Sequence, residues 1–287
     1  MSKVLYRKWR PRKLDQLVGQ NSISQTLRRA VSSGRVAHAY LFCGPRGTGK
    51  TSTARILAMA VNCRNPQDGE PDNSCDICTA ILEGRALDLI EIDAASNRGI
   101  DDIRNLSDKV RFTPSQGSFK VYIIDEVHML TTPAFNALLK TLEEPPEHAI
   151  FVLATTEVHK IPLTIISRCQ RFDFRRIPQD LMQKKLLELC ESEEVDVSEQ
   201  ALALISRRSS GSLRDAENLL EQAIVSYNSS VTEENIRDMT GLQDDQTAIL
   251  LITHVINNDM AQALTKLNNL SADGADLAEL HRSMIEY

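Results

Sequence analysis

Residues 44–51 read Gly44-Pro-Arg-Gly-Thr-Gly-Lys-Thr51, and this stretch decides the fold. It matches the pattern G-x-x-x-x-G-K-[ST] in full, the loop whose backbone amides cradle the phosphates of a nucleotide. The strand-length run Ala39–Cys43 enters the loop, and the helical pattern Thr51–Asn62 leaves it. A chance match in a glycine-rich turn would lack that context, so the stretch predicts a nucleotide-binding domain.

Different residues of the loop are expected to bind different parts of Mg-ATP. Gly44, Gly47 and Gly49 let backbone N–H groups converge on phosphate oxygens, because no Cβ stands in the way. The Lys50 side chain is expected to reach the β- and γ-phosphates, and the Thr51 hydroxyl to hold Mg²⁺. The other cofactor-binding residues predicted in this stretch are Pro45, Arg46, Thr48 and Ser52.

Strand-length apolar runs alternate with helical patterns through the first 175 residues. The predicted strands are Ala39–Cys43, Leu87–Asp93, Lys120–Asp125, Ile150–Thr155 and Gln170–Phe174, and the predicted helices are Thr51–Asn62, Ile100–Val110 and Pro133–Leu142. Several strands are almost continuously apolar, as strands covered on both faces must be. The alternation predicts an α/β fold with a mostly parallel sheet.

The pattern changes after Pro178. Amphipathic helices are predicted at Leu181–Cys190, Ser198–Ser206, Leu213–Tyr227 and Glu233–Met239, with Ser198 and Thr232 as N-caps. No strand-like run intervenes, which indicates a small helical domain. A linker is expected near Gly241–Asp245, and residues 246–268 begin a further helical segment. Because that segment runs to Tyr287 without an obvious cap, we expect a truncated chain.

Length and composition are those of an ordinary globular protein. The 287 residues favour about two domains, and the net charge is −6. That charge is uneven, with +5 over residues 1–175 and −11 over the rest, so polyphosphate or nucleic acid suits the first part. No apolar run approaches the roughly 18 residues that span a bilayer, and the basic start is no secretory signal. We expect a cytoplasmic protein without membrane contacts.

Two acids end the apolar strand Val121-Tyr-Ile-Ile-Asp-Glu126. Asp125, at the strand tip, is placed to hold Mg²⁺, usually through water. Glu126 is placed to orient or deprotonate the attacking water. The pair is a weak signal by itself, and it becomes strong on a strand that follows a complete phosphate loop.

Polar residues near later strand ends are candidates for sensing the nucleotide. Thr155 or Thr156 closes the strand beside Asp125 and could detect the γ-phosphate, although a β-branched strand end explains both equally well. Arg168 precedes the last strand and suits an arginine finger for a neighbouring subunit, with a surface salt bridge as the alternative. Arg214 opens a helix of the second domain and could couple domain angle to nucleotide state.

Three of the six cysteines lie close together in sequence: Cys63, Cys75 and Cys78. A C-x₂-C pair with a third cysteine indicates a zinc knuckle inserted after the phosphate-loop helix. The other three, Cys43, Cys169 and Cys190, are scattered among apolar neighbours and are interpreted as small buried residues.

Taken together, a series of motifs resembles the gamma/tau subunits of bacterial DNA polymerase III. They are Tyr6-Arg-Lys-Trp-Arg-Pro11 with Leu17-Val-Gly-Gln20, the phosphate loop, Ile123-Ile-Asp-Glu-Val-His-Met-Leu130, Leu138-Leu-Lys-Thr-Leu-Glu-Glu-Pro-Pro146, Leu153-Ala-Thr-Thr156, Ser167-Arg-Cys169 and Gly211-Ser-Leu-Arg214. The resemblance covers nearly the whole chain, in order and at the expected spacing, so it is far more specific than any single motif.

The resemblance implies the ATPase of a sliding-clamp loader. Its fold would be an AAA+ P-loop NTPase with a parallel five-stranded core sheet in residues 1–177, a helical lid in 178–241 and the start of a helical collar in 242–287. Such subunits form a pentameric ring of gamma/tau copies with delta and delta-prime. ATP binding holds the beta sliding clamp open around primed DNA, and hydrolysis releases it. The polymerase core would be contacted through sequence beyond the chain.

The resemblance also assigns roles to single positions. Tyr6, Arg10, Pro11, Val18 and Gly19 would border the adenine, and Arg168 would complete the next subunit's site. Four basic residues loosely match positions that face the DNA backbone in the family: Arg98, Arg104, Lys140 and Lys160. Each is explained equally well as an ordinary surface charge. The family normally supplies four cysteines to zinc, and here Asp72 stands where the second is expected. A Cys₃Asp site is chemically sound, and a weaker site, a water in fourth place or a lost metal are the alternatives.

Three other classes of protein are separated by particular features. A non-catalytic scaffold similar to delta-prime would have a broken phosphate loop. A DNA translocase, such as a branch-migration helicase, would lack the cysteine insert and end in a winged helix, and an archaeal or eukaryotic replication factor C small subunit would also lack the insert. The chain carries no polymerase chemistry of its own.

Overall fold

The computed structural model describes residues 4–227, 230–240 and 245–272, with the single positions Leu277, Leu280, His281 and Met284. Contacts divide the chain into two compact units. The first extends to Lys185 and includes Ser206–Asn218, and the second consists of Leu186–Ile205 with the chain from Leu219 onward. Within the described part of the chain, none of the helices combines the length and apolarity that a bilayer crossing requires.

Within the described residues, the first unit is built on a parallel sheet of five strands, as the sequence predicted. The strands are β1 Ala39–Cys43, β2 Leu89–Asp93, β3 Lys120–Asp125, β4 Ala149–Thr155 and β5 Gln170–Asp173. Their order across the sheet is β2-β3-β4-β1-β5, and every pairing is parallel. All carboxyl ends therefore lie at one edge, where ligands of open α/β sheets bind.

Thirteen α-helices lie within the described residues. They are α1 Leu5–Lys8, α2 Asn21–Ser32, α3 Lys50–Asn62, α4 Asp76–Leu82, α5 Ile100–Val110, α6 Thr132–Glu143, α7 Leu163–Ile166, α8 Gln179–Glu193, α9 Glu199–Arg208, α10 Leu213–Tyr227, α11 Glu233–Thr240, α12 Asp245–Ile256 and α13 Met260–Ala272. Short 3-10 turns occur at Leu14–Gln16, Val127–Met129 and Val158–Lys160.

The two faces of the sheet bury separate cores. Tyr40 and Phe42 of β1 point into the core shared with α2, α3 and α4. Leu41 and Cys43 point into the core shared with α5, α6 and α7. Successive strand residues face opposite sides, and here both sides are covered, which explains why β1 reads as a continuous apolar run.

The second unit has its own small core. Ala248 and Leu251 of α12 pack with Ala263 and Leu270 of α13. The helix starts at Ser198 and Thr232 follow the sequence prediction, because each hydroxyl accepts the N–H three residues on. Such caps satisfy amides that have no partner inside the helix.

Four helices were missed from the sequence, and two of them, α1 and α7, are single turns of four residues. The helix α2 follows the first motif of the N-terminal segment, and its buried positions Ile23 and Leu27 form a narrow stripe in a mostly polar stretch. The helix α4 lies inside the cysteine insert and has only seven residues. The apolar residues Ile23, Leu27 and Val31 recur every four positions in α2, a periodicity from which this helix could have been predicted. The two turns of α4 leave too little periodicity for an assignment.

Three further predictions were wrong in detail: one strand boundary, the absence of strands from the helical domain and the burial of one cysteine. Strand β2 begins at Leu89 rather than Leu87, whose side chain is 67% exposed. The predicted helical domain contains a short parallel pair, β6 Asp196–Val197 with β7 Ser230–Val231. Two-residue strands are too short to leave an alternating pattern. Cys169 proved half-buried, whereas the other two scattered cysteines, Cys43 and Cys190, are buried as expected.

The helical segment predicted over residues 246–268 consists of two helices, α12 and α13. Asn258 adopts a left-handed conformation with φ of 62°, which ends α12, and the Asp259 carboxylate accepts the Gln262 N–H to cap α13. The linker predicted at Gly241–Asp245 lies outside the described residues except for Asp245, which begins α12.

Glu217 of α10 generates a stability prediction. The residue is 6% exposed, and burial raises the pKa of its carboxyl from 4.5 to about 7, although Lys185 opposes the shift. A raised folded-state pKa means that the folded protein holds this proton more tightly than the unfolded chain. The carboxyl therefore costs nothing below about pH 4.5, and its cost grows up to about pH 7 and stays constant above.

The substitution Glu217→Gln should therefore stabilise the protein at pH 8, by on the order of 1–3 kcal/mol, and much less at pH 5. Urea unfolding of both proteins at the two pH values measures the difference. A variant that is destabilised at pH 8, or whose gain is the same at both pH values, contradicts this account.

Candidate nucleotide site and cysteine cluster

The phosphate loop has a backbone that only glycine accommodates at two points. Gly44 has a φ of 144°, and a Cβ there would lie 2.3 Å from the carbonyl oxygen of Phe174. Gly49, with a φ of 100°, immediately precedes the first residue of α3. The loop therefore passes close to the end of β5 and turns sharply into a helix whose positive N-terminal end faces the loop.

Lys50 is held over the loop. Its Nζ donates to the carbonyl oxygens of Gly44 and Pro45, each at 2.8 Å, and the residue is only 6% exposed. Burial lowers the pKa of Lys50, while the carboxylates of Glu126 and Asp125 oppose that shift. The amine is thus at the loop, within the field of the acid pair.

Asp125 joins the loop to the third strand. The Thr51 hydroxyl donates to Asp125 Oδ2 at 2.7 Å, and Asp125 Oδ1 accepts the Glu126 N–H at 3.0 Å. A hydroxyl and a carboxylate at this distance can share one hard cation, directly or through its water. The structure therefore brings together both residues that the sequence predicted for Mg²⁺.

Glu126 occupies an unusual backbone position and is held by two neighbours. Its φ is 46°, in the left-handed region that non-glycine residues seldom adopt. Thr156 Oγ1 donates to Glu126 Oε2 at 3.1 Å, and His128 Nδ1 lies 3.4 Å from the same oxygen. The carboxylate of the predicted base is thus oriented by the end of β4 and by the segment after β3.

The two threonines that the sequence left as alternatives differ in their contacts. Thr155 is fully buried, and its hydroxyl contacts His128 Nδ1 at 3.0 Å and accepts the Glu157 N–H at 3.0 Å. The Thr156 hydroxyl instead reaches Glu126. Thr156 is therefore the better placed of the two for sensing events at the reacting end of a nucleotide.

The N-terminal segment lies beside the start of α3. Arg10 Nε donates to Ser52 Oγ at 3.0 Å, and burial, followed by repulsion from Arg55, lowers the pKa of Arg10 to about 10. The Arg214 guanidinium lies 4.9 Å from the centre of the Tyr6 ring. Two sequence-predicted residues that are far apart in sequence, Tyr6 and Arg214, are thus in contact.

The remaining predicted nucleotide residues belong either to the loop or to the segment from Pro11 to Gly19. A Cβ on Gly19 would lie 3.5 Å from Pro178, and the Gly47 carbonyl oxygen accepts the Leu213 N–H at 3.1 Å. Thr48 Oγ1 donates to the Pro45 carbonyl oxygen at 2.8 Å. The side chains of Pro11 and Val18 are half-buried, and that of Arg46 is exposed.

Arg168 is engaged within its own chain. Its guanidinium forms a salt bridge with Glu143 at 2.6 Å and donates to the Thr164 carbonyl oxygen at 2.7 Å. This is the surface salt bridge that the sequence offered as the alternative. The side chain is 33% exposed, so the guanidinium remains accessible on this face.

The basic residues considered for DNA lie on exposed elements. Arg104 and Lys140 line a groove of about 740 Å³ between α5 and α6. Arg98 Nε donates to the Met129 carbonyl oxygen, and Lys160 pairs with Glu157 at 2.9 Å. Each has a contact or position that an ordinary surface charge would also have, so no nucleic-acid interface is defined by the geometry alone.

The cysteine cluster brings four potential ligands together. One ligand atom each from Cys63, Asp72, Cys75 and Cys78 lies within 4.8 Å of the others. Asp72 Oδ1 accepts the N–H groups of Ser74 and Cys75 at 3.0 and 3.1 Å, and Oδ2 accepts a longer hydrogen bond from Asn65 Nδ2 at 3.4 Å. Three thiols and one carboxylate oxygen are a donor set that fits tetrahedral Zn²⁺.

The pKa values of the four potential ligands shift in both directions. Hydrogen bonds, first from the Cys75 N–H, hold the pKa of Asp72 well below its usual range. Burial raises the pKa values of Cys63 and Cys78, whereas that of Cys75 is lowered by hydrogen bonds that outweigh its burial. Two of the four ligand atoms thus favour the charged form that a metal requires.

Two residues with notable contacts had no assigned role from the sequence. His128 lies within a quoted motif, and its position between Glu126 and Glu157 could have been suspected only from its spacing after the acid pair. Glu70 lies in the cysteine insert and contacts Leu14 and Asp15, about 55 positions earlier. No local pattern reveals a contact of that length.

Solved structures with the same fold include Thermotoga maritima RuvB, a Holliday junction branch migration motor. One gives a TM-score of 0.59 at 19% identity, covering 93% of this chain and 86% of RuvB, and another gives 0.60 at 18%. Identity this low establishes the fold alone. The sheet order, the phosphate loop and the helical regions that follow define an AAA+ P-loop NTPase fold.

Three families match successive parts of the chain. "DNA polymerase III, delta subunit" matches residues 19–178, "DNA polymerase III clamp loader subunit, ATPase lid domain" matches 182–228, and "DNA polymerase III subunits gamma and tau domain III" matches 231–287.

Relatives that match almost the whole chain identify the family more closely. DNA polymerase III subunit tau of Bacillus subtilis is 49% identical over 99% of this chain and 50% of that protein. Subunit gamma of Buchnera aphidicola (Acyrthosiphon pisum) is 43% identical over 99% of this chain and 79% of that protein. DNA polymerase III subunit tau of Escherichia coli is 43% identical over 98% of this chain and 44% of that protein. The chain belongs to the gamma/tau family of DNA polymerase III clamp-loader subunits, and it spans about half of the tau relatives.

Proposed function

We propose that this protein is an ATP-hydrolysing motor subunit of a bacterial clamp loader. ATP binding opens the sliding clamp and loads it onto primed DNA, and hydrolysis releases the clamp. The observation that carries the proposal is the convergence of Lys50, Thr51, Asp125 and Glu126 at one edge of the sheet, with the Thr51 hydroxyl 2.7 Å from Asp125.

The proposed chemistry gives each of these groups one task. The loop amides and the Lys50 amine neutralise the β- and γ-phosphates, and Thr51 and Asp125 would hold Mg²⁺, which supplies charge stabilisation at the phosphates when bound. Glu126, oriented by Thr156, accepts a proton from the attacking water. Arg214, on the first turn of α10, would contact the phosphates in this proposal.

A non-catalytic scaffold is the second candidate. Residues 19–178 match the family described as a delta subunit, which favours it. Against it stands the complete loop, since a scaffold needs neither the Lys50 amine nor the acid at Glu126. We therefore keep the ATPase as the proposed function.

The proposed partners are the other clamp-loader subunits: further gamma/tau copies, delta and delta-prime in a pentameric ring. Arg168 would act in trans: its guanidinium would break the salt bridge with Glu143 and contact the nucleotide of the next subunit. The beta clamp and primed DNA are the substrates in this proposal. Arg104 and Lys140 in the α5–α6 groove, with Arg98 and Lys160, are the proposed contacts to phosphates of the DNA backbone, which would be independent of sequence.

We also propose that Cys63, Asp72, Cys75 and Cys78 hold a structural Zn²⁺. The proximity of the four ligand atoms supports it. The nucleotide chemistry already has its residues, so the metal would stabilise the insert and take no part in hydrolysis.

The arginine-finger proposal is tested by ATPase rate. In a ring reconstituted with delta, delta-prime, clamp and primed DNA, Arg168→Ala should lower the stimulated rate by roughly 10³-fold or more, as removal of other arginine fingers does. Nucleotide affinity of the isolated subunit should not change, because Arg168 lies outside its own site.

Arg171→Ala provides the control, since Arg171 is a similarly exposed arginine paired with Asp173. Equal stimulation of the ATPase rate in the wild type and in Arg168→Ala would show that Arg168 is not an arginine finger. If clamp and primed DNA stimulate no variant, including the wild type, the clamp-loader function itself is wrong.

The zinc proposal is tested by metal analysis of protein purified without chelator. We expect about one Zn²⁺ per chain in the wild type, and loss of metal at lower chelator concentration in Asp72→Ala, because one of four ligands is gone. Asp72→Cys should retain the metal at least as well as the wild type. A wild-type content near zero would reject the site.

A further inference from the structure

A tight turn in the cysteine insert carries the starting observation. Gln67 and Glu70 exchange both backbone hydrogen bonds, at 3.0 and 2.8 Å. Asp68 and Gly69 between them have φ values of 51° and 78°. Two central residues with positive φ form the hairpin turn that Asp-Gly favours, so the position of Glu70 relative to the insert is rigidly set.

The Glu70 side chain leaves the insert and binds the N-terminal segment. Its Oε2 accepts the Leu14 N–H at 2.7 Å, its Oε1 accepts the Asp15 N–H at 3.0 Å, and Arg28 Nε lies 3.3 Å from Oε1. Glu70 is 6% exposed. Hydrogen bonds to a buried carboxylate are roughly twice as strong as neutral ones, so this contact holds the Leu14–Gln16 turn firmly.

Close backbone packing supports the same contact. A Cβ on Gly69 would lie 2.2 Å from the Arg28 carbonyl oxygen, and the Asp68 carbonyl oxygen accepts Arg28 Nε at 3.3 Å. The turn therefore lies directly on α2 as well as on the Leu14–Gln16 turn. None of these contacts involves the four potential metal ligands.

The segment that Glu70 holds continues to the phosphate loop. Leu14 is fully buried, and Leu17 Cδ2 lies 3.7 Å from the point where a Cβ on Gly49 would stand. Two residues further on, a Cβ on Gly19 would lie 3.5 Å from Pro178. Leu17 thus lies beside Gly49, immediately before α3, where the loop would fix the phosphates, and the nucleoside of a nucleotide bound there would extend past residues 17–19.

We propose that Glu70 is a positioning residue for nucleotide binding: it holds the Leu14–Gln16 turn, and thereby places Leu17–Gly19 where the nucleoside part of ATP is bound. The cysteine insert thus has a second task, which is to set nucleotide affinity from outside the nucleotide site. This inference rests on the proposed binding of ATP at the phosphate loop.

The test compares two ligands that share the phosphates and differ in the nucleoside. Binding of Mg-ATP and of inorganic tripolyphosphate is measured by titration calorimetry on the full chain. We expect Glu70→Gln, which can keep only one of the two amide contacts, to weaken ATP binding roughly tenfold, about 1.4 kcal/mol. Tripolyphosphate binding should be unchanged, because the loop itself is intact.

Controls separate this effect from general damage. Glu83→Gln removes an exposed carboxylate at the end of α4 and should leave both affinities as in the wild type. Arg28→Gln changes a residue whose side chain is 34% exposed, so it tests the contact again if Glu70→Gln fails to fold, with a smaller loss of ATP affinity expected.

Two results would overturn the inference while leaving ATP binding intact. One is wild-type affinity for ATP in both Glu70→Gln and Arg28→Gln. The other is an equal loss for ATP and tripolyphosphate, which would mean that the loop was disturbed. Failure of the proposed function looks different, since the wild type would then bind neither ligand.

Discussion

The hydrogen bond from Thr51 to Asp125, at 2.7 Å, is the contact on which the rest of the site depends. It joins the helix after β1 to the end of β3, two strands separated by β4 in the sheet. Their carboxyl ends meet because every pairing is parallel and in register. A shift of either strand would separate the loop, and with it the Lys50 amine, from the carboxylates of Asp125 and Glu126.

The core fold and the loop could be predicted because their signals are local. A strand covered on both faces is an apolar run, and the phosphate loop is eight consecutive residues, so β1 and residues 44–51 are readable without any distant contact. Asp125 and Glu126 at the end of β3 could be assigned to the site because a complete phosphate loop precedes them in the sequence. Helix α2 could also have been predicted, from the spacing of Ile23, Leu27 and Val31, whereas the two turns of α4 leave little periodicity.

The rest of the site depends on contacts between residues far apart in sequence. Thr155 and Thr156 are neighbours with the same side chain, and only the structure shows that one reaches His128 and the other Glu126. Glu70 had no signal at all, because a carboxylate that accepts two backbone amides 55 and 56 positions away resembles any acid of an exposed loop. The Arg168 salt bridge likewise describes one chain, whereas the finger role concerns two.

The central claim is that a triphosphate binds at the loop after β1, and titration calorimetry with Mg-ATP tests it most directly. The account predicts a single site on the wild-type chain and no measurable binding to Lys50→Ala under the same conditions, because the amine that neutralises the β- and γ-phosphates is gone. Equal affinity of the two proteins for Mg-ATP would contradict it.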